Sequence, residues 1–309
     1  MLSACSSGSG THDSTTTPAV ASTQPGAATS GTSSSPAKTS SKAAGPTKPV
    51  HVSLFEGDGQ TYGVGMAIVA QFSRPVTDAH PFNKVVTVKV NGQPANGAWF
   101  WVRSNSGYAM EAQYRKQYYW PAHSKIEMNM PLDGVSAGPG LAFDDSLTLS
   151  LNIGAAHISH VDGSTERMTV TSDGKTVKVL SVSLGKASTP TYLGTKVVME
   201  KKNPQLMVSA PGEPNPYSLK VPWSVRVTLD GEFVHAASWN GGNIGSRSTS
   251  HGCTNLNVTD AEWFYKFAVL GDVVTYANTQ TSKVMPSWDG WGWWNVRWTD
   301  WTAGNLLKN

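Results

Sequence analysis

The sequence predicts a mainly β protein with one clear helix. Its 309 residues are rich in Gly, Ser, Thr, Val and Trp, and only 15% of them are charged, a composition that favours strands. From about residue 48 onwards, short runs of alternating apolar and polar residues are separated by Gly, Pro and Asn-Gly, which is typical of antiparallel strands and hairpins. A chain of this length can bury a large core and form two domains.

The charge and hydropathy of the chain argue against two kinds of interaction. Lys and Arg are scattered rather than grouped, and the formal net charge is only +3, so no binding to nucleic acid is predicted. The sequence has no apolar run of about 18 residues, so no membrane-spanning helix is predicted either.

Residues 1–47 are predicted to be a tether. Residues 6–47 are almost wholly Ser, Thr, Ala, Gly, Pro and Lys, which bury too little apolar surface to form a core, so disorder is expected. Cys5 ends the segment LSAC, which resembles a bacterial lipobox whose apolar signal segment is missing or trimmed. We predict lipidation at Cys5, which would make this lipid the only membrane contact; the alternative is a chance cysteine in a tail.

Residues 48–150 predict an immunoglobulin-like β-sandwich without a cysteine pair to bridge its sheets. Asn91-Gly92 is a strong turn signal because both residues tolerate positive φ. The tryptophans of this region are expected to fill the core rather than a ligand groove: Trp99, Trp101 and Trp120. The region gathers no catalytic side chains, so its expected role is spacing, support or wall contact.

Residues 151–278 predict a second β-rich domain, which contains the helix. Asp173-Gly174 joins two alternating runs and predicts a hairpin. The segment Thr259-Asp260-Ala261-Glu262 is interpreted as a capping box that opens a helix through Phe267.

Residues 279–309 form a tryptophan-rich extension. Six of the twelve tryptophans lie there: Trp288, Trp291, Trp293, Trp294, Trp298 and Trp301. Indole faces can stack on sugar rings, so a carbohydrate platform is one interpretation; packing against the body of the protein is the one we favour.

The segment RSTSHGCTN contains the second of only two cysteines, Cys253. A thiol becomes a useful nucleophile beside a base, and His235 ends a predicted strand sixteen residues before His251. The Gly/Ser-rich loop between the histidines could return the chain so that His235 meets Cys253. Gly252 permits unusual dihedrals and close approach, and the amides around Gly252 and Cys253 could hold an oxyanion.

Two alternatives remain at this point. A cysteine near a histidine is often structural. A zinc site formed by His235, His251 and Cys253 would match the three ligands of many catalytic zincs, although the regular ligand spacing is absent. We predict no metal and no other cofactor.

The segments FVHAASW and SRSTSHGCTNLNVTDAEWFY resemble the catalytic motif of L,D-transpeptidases of the YkuD type, in which a histidine precedes Ser-His-Gly-Cys-x-Asn or Arg. The segments PTYLGTKVV, YSLKVPWSVRV and GDVV fall where that family has strands. An Ig-like domain before the catalytic one and the tail WTDWTAGN are similar to actinobacterial members. The resemblance covers roughly 48–309.

The resemblance implies a reaction on peptidoglycan. Cys253 would attack an L-to-D bond in a tetrapeptide stem and release D-alanine, and the side-chain amine of a second stem would take the acyl group to give a 3→3 cross-link. Such an enzyme acts outside the cytoplasm, in the cell envelope, here on the outer face of the cytoplasmic membrane. Family members are also acylated by carbapenem β-lactams.

The resemblance also assigns roles to residues. His235 matches the base, and His251, Gly252 and Cys253 match the oxyanion-hole segment. Ser250 and Asn255 would support the loop or the substrate. The residues that match the lining of the donor pocket are Met207, Tyr217 and Trp223.

One departure from the family and several alternatives accompany this assignment. Many relatives have Ser directly after the histidine and Pro two residues later, where this chain has Ala236 and Ser238; alanine keeps the backbone carbonyl that orients the imidazole. The alternatives are an L,D-carboxypeptidase that trims the stem, an enzyme that attaches wall proteins, and a wall-binding lipoprotein without turnover. For an active enzyme, the neighbouring His235 predicts a lowered pKa for the Cys253 thiol.

Overall fold

The computed structural model describes residues 47–209, 212 and 216–309. Cys5 and the predicted tether lie outside the described residues, so lipidation at Cys5 stays a prediction. The described residues all belong to one compact unit. Among the described helices, none is long and apolar enough to cross a membrane.

The first part of this unit is a β-sandwich. Its strands are β1 (Lys48–Val50), β2 (Val52–Leu54), β3 (Thr61–Tyr62), β4 (Ile68–Phe72), β5 (Thr87–Val90), β6 (Gln93–Pro94), β7 (Ala98–Val102), β8 (Met110–Arg115), β9 (Lys125–Met130), β10 (Ser136–Gly138), β11 (Leu141–Phe143) and β12 (Leu147–Ile153), with helix α1 (His80–Val85) between β4 and β5. A five-stranded sheet in the order β3-β12-β9-β5-β6 faces a four-stranded sheet in the order β2-β4-β8-β7, and β1-β11-β10 form a small third sheet. Buried side chains from both large sheets share one hydrophobic core.

The aromatic residues of the sandwich fill its core, as the sequence predicts. Trp99, Trp101 and Trp120 are all buried, and the ring of Trp101 stacks on Phe72 with centroids 5.4 Å apart. The predicted turn at Asn91 is confirmed, because Asn91 and the following glycine have φ of 49° and 79°, the left-handed values that a tight hairpin turn requires.

The second part is also built mainly from strands. These are β13 (His157–Asp162), β14 (Arg167–Ser172), β15 (Lys175–Ser181), β16 (Gly194–Val197), β17 (Glu200–Lys202), β18 (Gln205–Val208), β19 (Ser218–Val221), β20 (Ser224–Arg226), β21 (Phe233–Ala236), β22 (Thr254–Leu256) and β23 (Val273–Ala277), with helix α2 (Val258–Phe267) between β22 and β23. The sheets have the orders β15-β14-β13-β23-β16, β17-β20-β21-β22 and β18-β19. The hairpin at Asp173-Gly174 joins β14 and β15 as predicted, with φ of 48° and 77° at its two turn residues.

Helix α2 ends at Phe267 as predicted but begins earlier than predicted. Its N-cap is Asn257, whose extended backbone precedes the helix and whose Oδ1 accepts from the Asp260 amide at 2.8 Å. The predicted capping box at Thr259 is therefore wrong. Asn257, two residues earlier, caps the Asp260 amide, whereas a Thr259 box would cap the Glu262 amide, and asparagine ranks above threonine as an N-cap.

The tryptophan-rich extension packs on the sandwich. It contains the short helix α3 (Trp298–Thr302), where Trp301 stacks on Phe100 with centroids 4.6 Å apart and donates from Nε1 to the Ala98 carbonyl. The Arg115 guanidinium lies over the rings of Trp294, Trp298 and Trp301. The favoured packing interpretation holds for these residues, whereas Trp288 is 62% exposed.

Candidate active site

The pairing of β21 with β22 brings the two parts of the motif together. The strands are parallel, with Val234 opposite Thr254 and His235 opposite Asn255. Parallel neighbours need a crossover connection, which residues 237–253 supply. Facing residues of paired strands share one side of the sheet, so His235 and Asn255 point to the same side. Cys253 is two residues before Asn255 and therefore lies close to His235 along the sheet.

His235 is held as a neutral base. Its side chain is only 3% exposed, and its Nδ1 is 2.8 Å from the Ala236 carbonyl oxygen. A carbonyl can only accept, so Nδ1 carries the proton and Nε2 has a free lone pair. Burial lowers the pKa of His235 to about 4. Alanine after the histidine thus preserves the contact that orients the imidazole.

Cys253 is a protonated thiol in the resting site. Its side chain is half-buried, and Sγ donates to the Gly231 carbonyl at 3.5 Å. Burial raises the pKa of the Cys253 thiol to about 12. The prediction of a lowered thiol pKa is therefore wrong for the resting protein, because removal from water disfavours the thiolate and the imidazole beside it is uncharged.

The raised pKa of the Cys253 thiol beside a neutral His235 predicts how the alkylation rate of Cys253 depends on pH. In a Cys5→Ser variant, the rate of Cys253 alkylation by iodoacetamide should rise about tenfold per pH unit between pH 7 and pH 10, because only the thiolate reacts and its fraction keeps growing below a raised pKa. Cys5 in a Cys253→Ala variant is the comparison thiol, with a plateau expected above about pH 8.5. A plateau for Cys253 at or below that pH would contradict the prediction.

Hydrogen bonds hold the segment before the cysteine in one shape. Ser250 Oγ donates to the Cys253 carbonyl at 2.6 Å and accepts from the Gly252 amide at 3.1 Å. Gly252 has φ of 120°, a value that side chains other than glycine rarely adopt. Thr191 Oγ1 donates to the Gly252 carbonyl at 2.7 Å. Ser250 thus holds the loop through two hydrogen bonds.

These residues surround a cavity of about 310 Å³. Its described lining consists of Met207, Tyr217, Leu219, Val221, His235, Trp239, Asn240, Thr249, Ser250, His251, Cys253 and Asn255. Met207 and Tyr217 come from β18 and the segment before β19, and the Tyr217 ring lies 5.7 Å from that of His251. Trp223 is not in this lining; it contacts Tyr265 and Lys266 of α2 instead.

Several residues of the site escaped the sequence analysis. Trp239 stacks on His235 with centroids 6.0 Å apart, and its position four residues after the histidine was the available signal. Lys196 is fully buried and contacts Glu232, which directly precedes β21. Burial lowers the pKa of Lys196, and its Nζ lies 3.8 Å from the centroid of the Tyr276 ring. A buried lysine has no signature in sequence.

The described residues offer no cluster of ligands for the zinc alternative. Within residues 47–209, 212 and 216–309, no group of three or more His, Cys, Asp or Glu side chains is arranged to hold a metal ion.

Comparison with known proteins identifies the family. The model of a bacterial Ig domain matches residues 12–136, and that of the L,D-transpeptidase catalytic domain matches residues 156–275. Probable L,D-transpeptidase 3 of Mycobacterium tuberculosis is 30% identical over 248 residues, which cover 72% of this chain and 84% of that relative. The chain belongs to the L,D-transpeptidase family. L,D-transpeptidase 2 of the same species is 32% identical over 265 residues, which cover 83% of this L,D-transpeptidase and 63% of the relative.

A solved structure agrees with this assignment. The LD transpeptidase LdtMt1 in complex with imipenem matches with a TM-score of 0.62 at 25% identity, over 75% of this L,D-transpeptidase and all of that chain. The chain spans 63% and 58% of the length of the first two curated relatives.

Proposed function

We propose that this L,D-transpeptidase forms 3→3 cross-links in peptidoglycan through an acyl-enzyme on Cys253. The observation that carries the proposal is the parallel register of β21 and β22, in which His235 lies opposite Asn255. This register places a buried neutral imidazole and the thiol of Cys253 on one cavity, the arrangement that base-assisted attack by sulfur requires.

The proposed reaction has two acyl transfers. His235 Nε2 takes the Cys253 proton while Sγ attacks the carbonyl carbon of the L-to-D bond in a tetrapeptide donor stem. The C–N bond then breaks, and D-alanine leaves with the proton from His235. The side-chain amine of an acceptor stem attacks the thioester carbonyl and gives a proton to His235. The C–S bond then breaks, and His235 returns that proton to Sγ, which restores the thiol. At rest His235 is neutral and Cys253 keeps its proton, so in this sequence the imidazole accepts that proton as Sγ attacks.

Two polar groups have further roles in this proposal. The Gly252 amide already donates to Ser250 Oγ, so we assign the oxyanion to the Cys253 amide and leave Gly252 the role of shaping the loop. Asn255 is 3% exposed and lines the cavity, and its Oδ1 has no hydrogen-bond partner among the described residues. A buried acceptor without a partner is costly, so an amide N–H of the donor stem is its proposed partner.

The remaining parts of the proposal concern location and inhibitors. Lipid-anchored Cys5 would attach the enzyme to the outer face of the cytoplasmic membrane, with residues 6–47 as the tether. The structure of LdtMt1 contains imipenem in complex with that LD transpeptidase, which supports Cys253 as a target of carbapenem acylation in this chain.

The test is the intact mass of the protein after mixing with a tetrapeptide stem. The expected adduct is the stem without its terminal D-alanine, and an acceptor stem should then discharge it as a cross-linked dimer. The matched control is the same stem ending in L-alanine, which should give no adduct. If the adduct is discharged only as the free tripeptide, the enzyme is a carboxypeptidase and the proposed cross-linking is wrong. If neither adduct nor released D-alanine is seen, the whole proposal is overturned.

A further inference from the structure

A lysine outside the catalytic motif lies at the rim of the cavity. Lys186 Nζ is 3.1 Å from His251 Nε2, and the Lys186 amide donates to the Ser250 carbonyl at 3.0 Å. Its neighbour Gly185 forms a parallel bridge with Ser250. The backbone therefore fixes Lys186 against the same segment that carries the nucleophile.

The contact between Lys186 and His251 also determines which ring nitrogen of His251 carries the proton. An ammonium group has only donors, so Lys186 donates to Nε2 of His251, and in the neutral imidazole the proton is then on Nδ1. His251 thereby offers a second donor at the rim. The side chain of His251 lines the cavity, whereas that of Lys186 is partly exposed.

Among the described residues, no carboxylate pairs with the charge of Lys186. Of the ion pairs formed between described residues, none includes Lys186, and no described residue in the cavity lining is acidic. The nearby carboxylate of Glu232 is engaged by Lys196 and by the Tyr192 amide. A cation beside a largely apolar cavity favours a ligand that carries an anion.

We propose that Lys186 and His251 form a carboxylate-binding subsite that takes the terminal carboxylate of the donor stem; this inference rests on the proposed function. In a stem attacked at its last peptide bond, the terminal carboxylate lies within about 5 Å of the attacked carbonyl carbon. His251 precedes Cys253 by two residues, so their Cα atoms are at most about 7 Å apart. The subsite is thus within reach of the carboxylate of the departing residue.

The first experiment probes the charge without any stem. In a Cys5→Ser background, Cys253 is alkylated with iodoacetate, which is anionic, and with neutral iodoacetamide. Lys186→Met should lower the iodoacetate rate about fivefold and leave the iodoacetamide rate unchanged, because only the anion is attracted to the lysine. Lys186→Arg should retain the preference, and Lys125→Met, which makes the same charge change in the sandwich, should not alter it. An unchanged ratio of the two rates in Lys186→Met would overturn the subsite.

The second experiment identifies the carboxylate. Acylation rates are compared for a tetrapeptide stem ending in a free carboxylate and for the same stem ending in a carboxamide. Lys186→Met should slow acylation by the first about tenfold and by the second less than twofold, since a charge-assisted hydrogen bond at a partly exposed site is lost only with the carboxylate. Equal slowing of both stems would overturn the assignment to the terminal carboxylate. Wild-type protein that no stem acylates, but that keeps the lysine-dependent iodoacetate preference, would overturn the proposed function and support the anion subsite.

Discussion

Cys253→Ala should abolish formation of the stem adduct and leave the fold intact. The loop around Cys253 is held by Ser250 and Thr191, whose hydroxyls bind the backbone on either side of Sγ. Sγ itself makes a long contact of 3.5 Å to the Gly231 carbonyl, so its removal should lower the free energy of unfolding by about 1 kcal/mol or less. Loss of the thiol, by contrast, removes the atom that would form the thioester.

The measurement is intact mass after incubation with the tetrapeptide stem, accompanied by thermal unfolding of each variant. Cys5→Ser is the matched control, because it removes the other thiol of the chain and should retain the full adduct. His235→Gln should still form the adduct, but more slowly by about 10²- to 10⁴-fold, the usual contribution of a general base. An adduct of undiminished yield on Cys253→Ala would remove Cys253 from the mechanism.

Local sequence signals predicted the parts of this structure that depend on local chemistry. Asn91-Gly92 and Asp173-Gly174 form their turns because left-handed backbone conformations favour these residue types. The proximity of the His235 strand to the Cys253 segment could also be predicted from the sequence, because a Gly/Ser-rich loop between them implies that the chain turns back.

Features that depend on burial could not be predicted in the same way. The direction of the Cys253 pKa shift follows from the packing of distant strands around the thiol, whereas the sequence showed only a nearby histidine. From the sequence, Lys196 looks like an ordinary surface lysine; in the structure, the packing around β16 buries it completely. Asn257 and Thr259 are both acceptable N-caps, so the choice between them depended on where β22 ends.

The pair formed by Lys196 and Glu232 connects the fold to the site. Glu232 follows Gly231, whose carbonyl accepts from the thiol, and its Cγ lies 3.6 Å from the position that a Cβ on Gly252 would occupy. Lys196 packs on Tyr276, whose hydroxyl is 2.9 Å from Thr254 Oγ1 directly after the cysteine. These contacts brace the chain on both sides of the nucleophile.

Breaking this pair from one side should therefore destabilise the protein strongly. Glu232→Gln leaves the fully buried Lys196 without its carboxylate, and we expect the free energy of unfolding to fall by about 3–5 kcal/mol, the usual cost of an uncompensated buried charge. Lys196→Met should have a similar effect, because it leaves the Glu232 carboxylate buried without its lysine.

The double variant Lys196→Met/Glu232→Gln distinguishes this cause from a simple loss of packing. It removes both charges, and a glutamine oxygen can still accept from the Tyr192 amide that Glu232 now binds at 2.8 Å. Denaturant unfolding of the four proteins should give a double variant that is more stable than either single variant, as expected for two groups that depend on each other. Additive losses would mean that each side chain acts through its own packing and that the charges beneath Cys253 are not coupled.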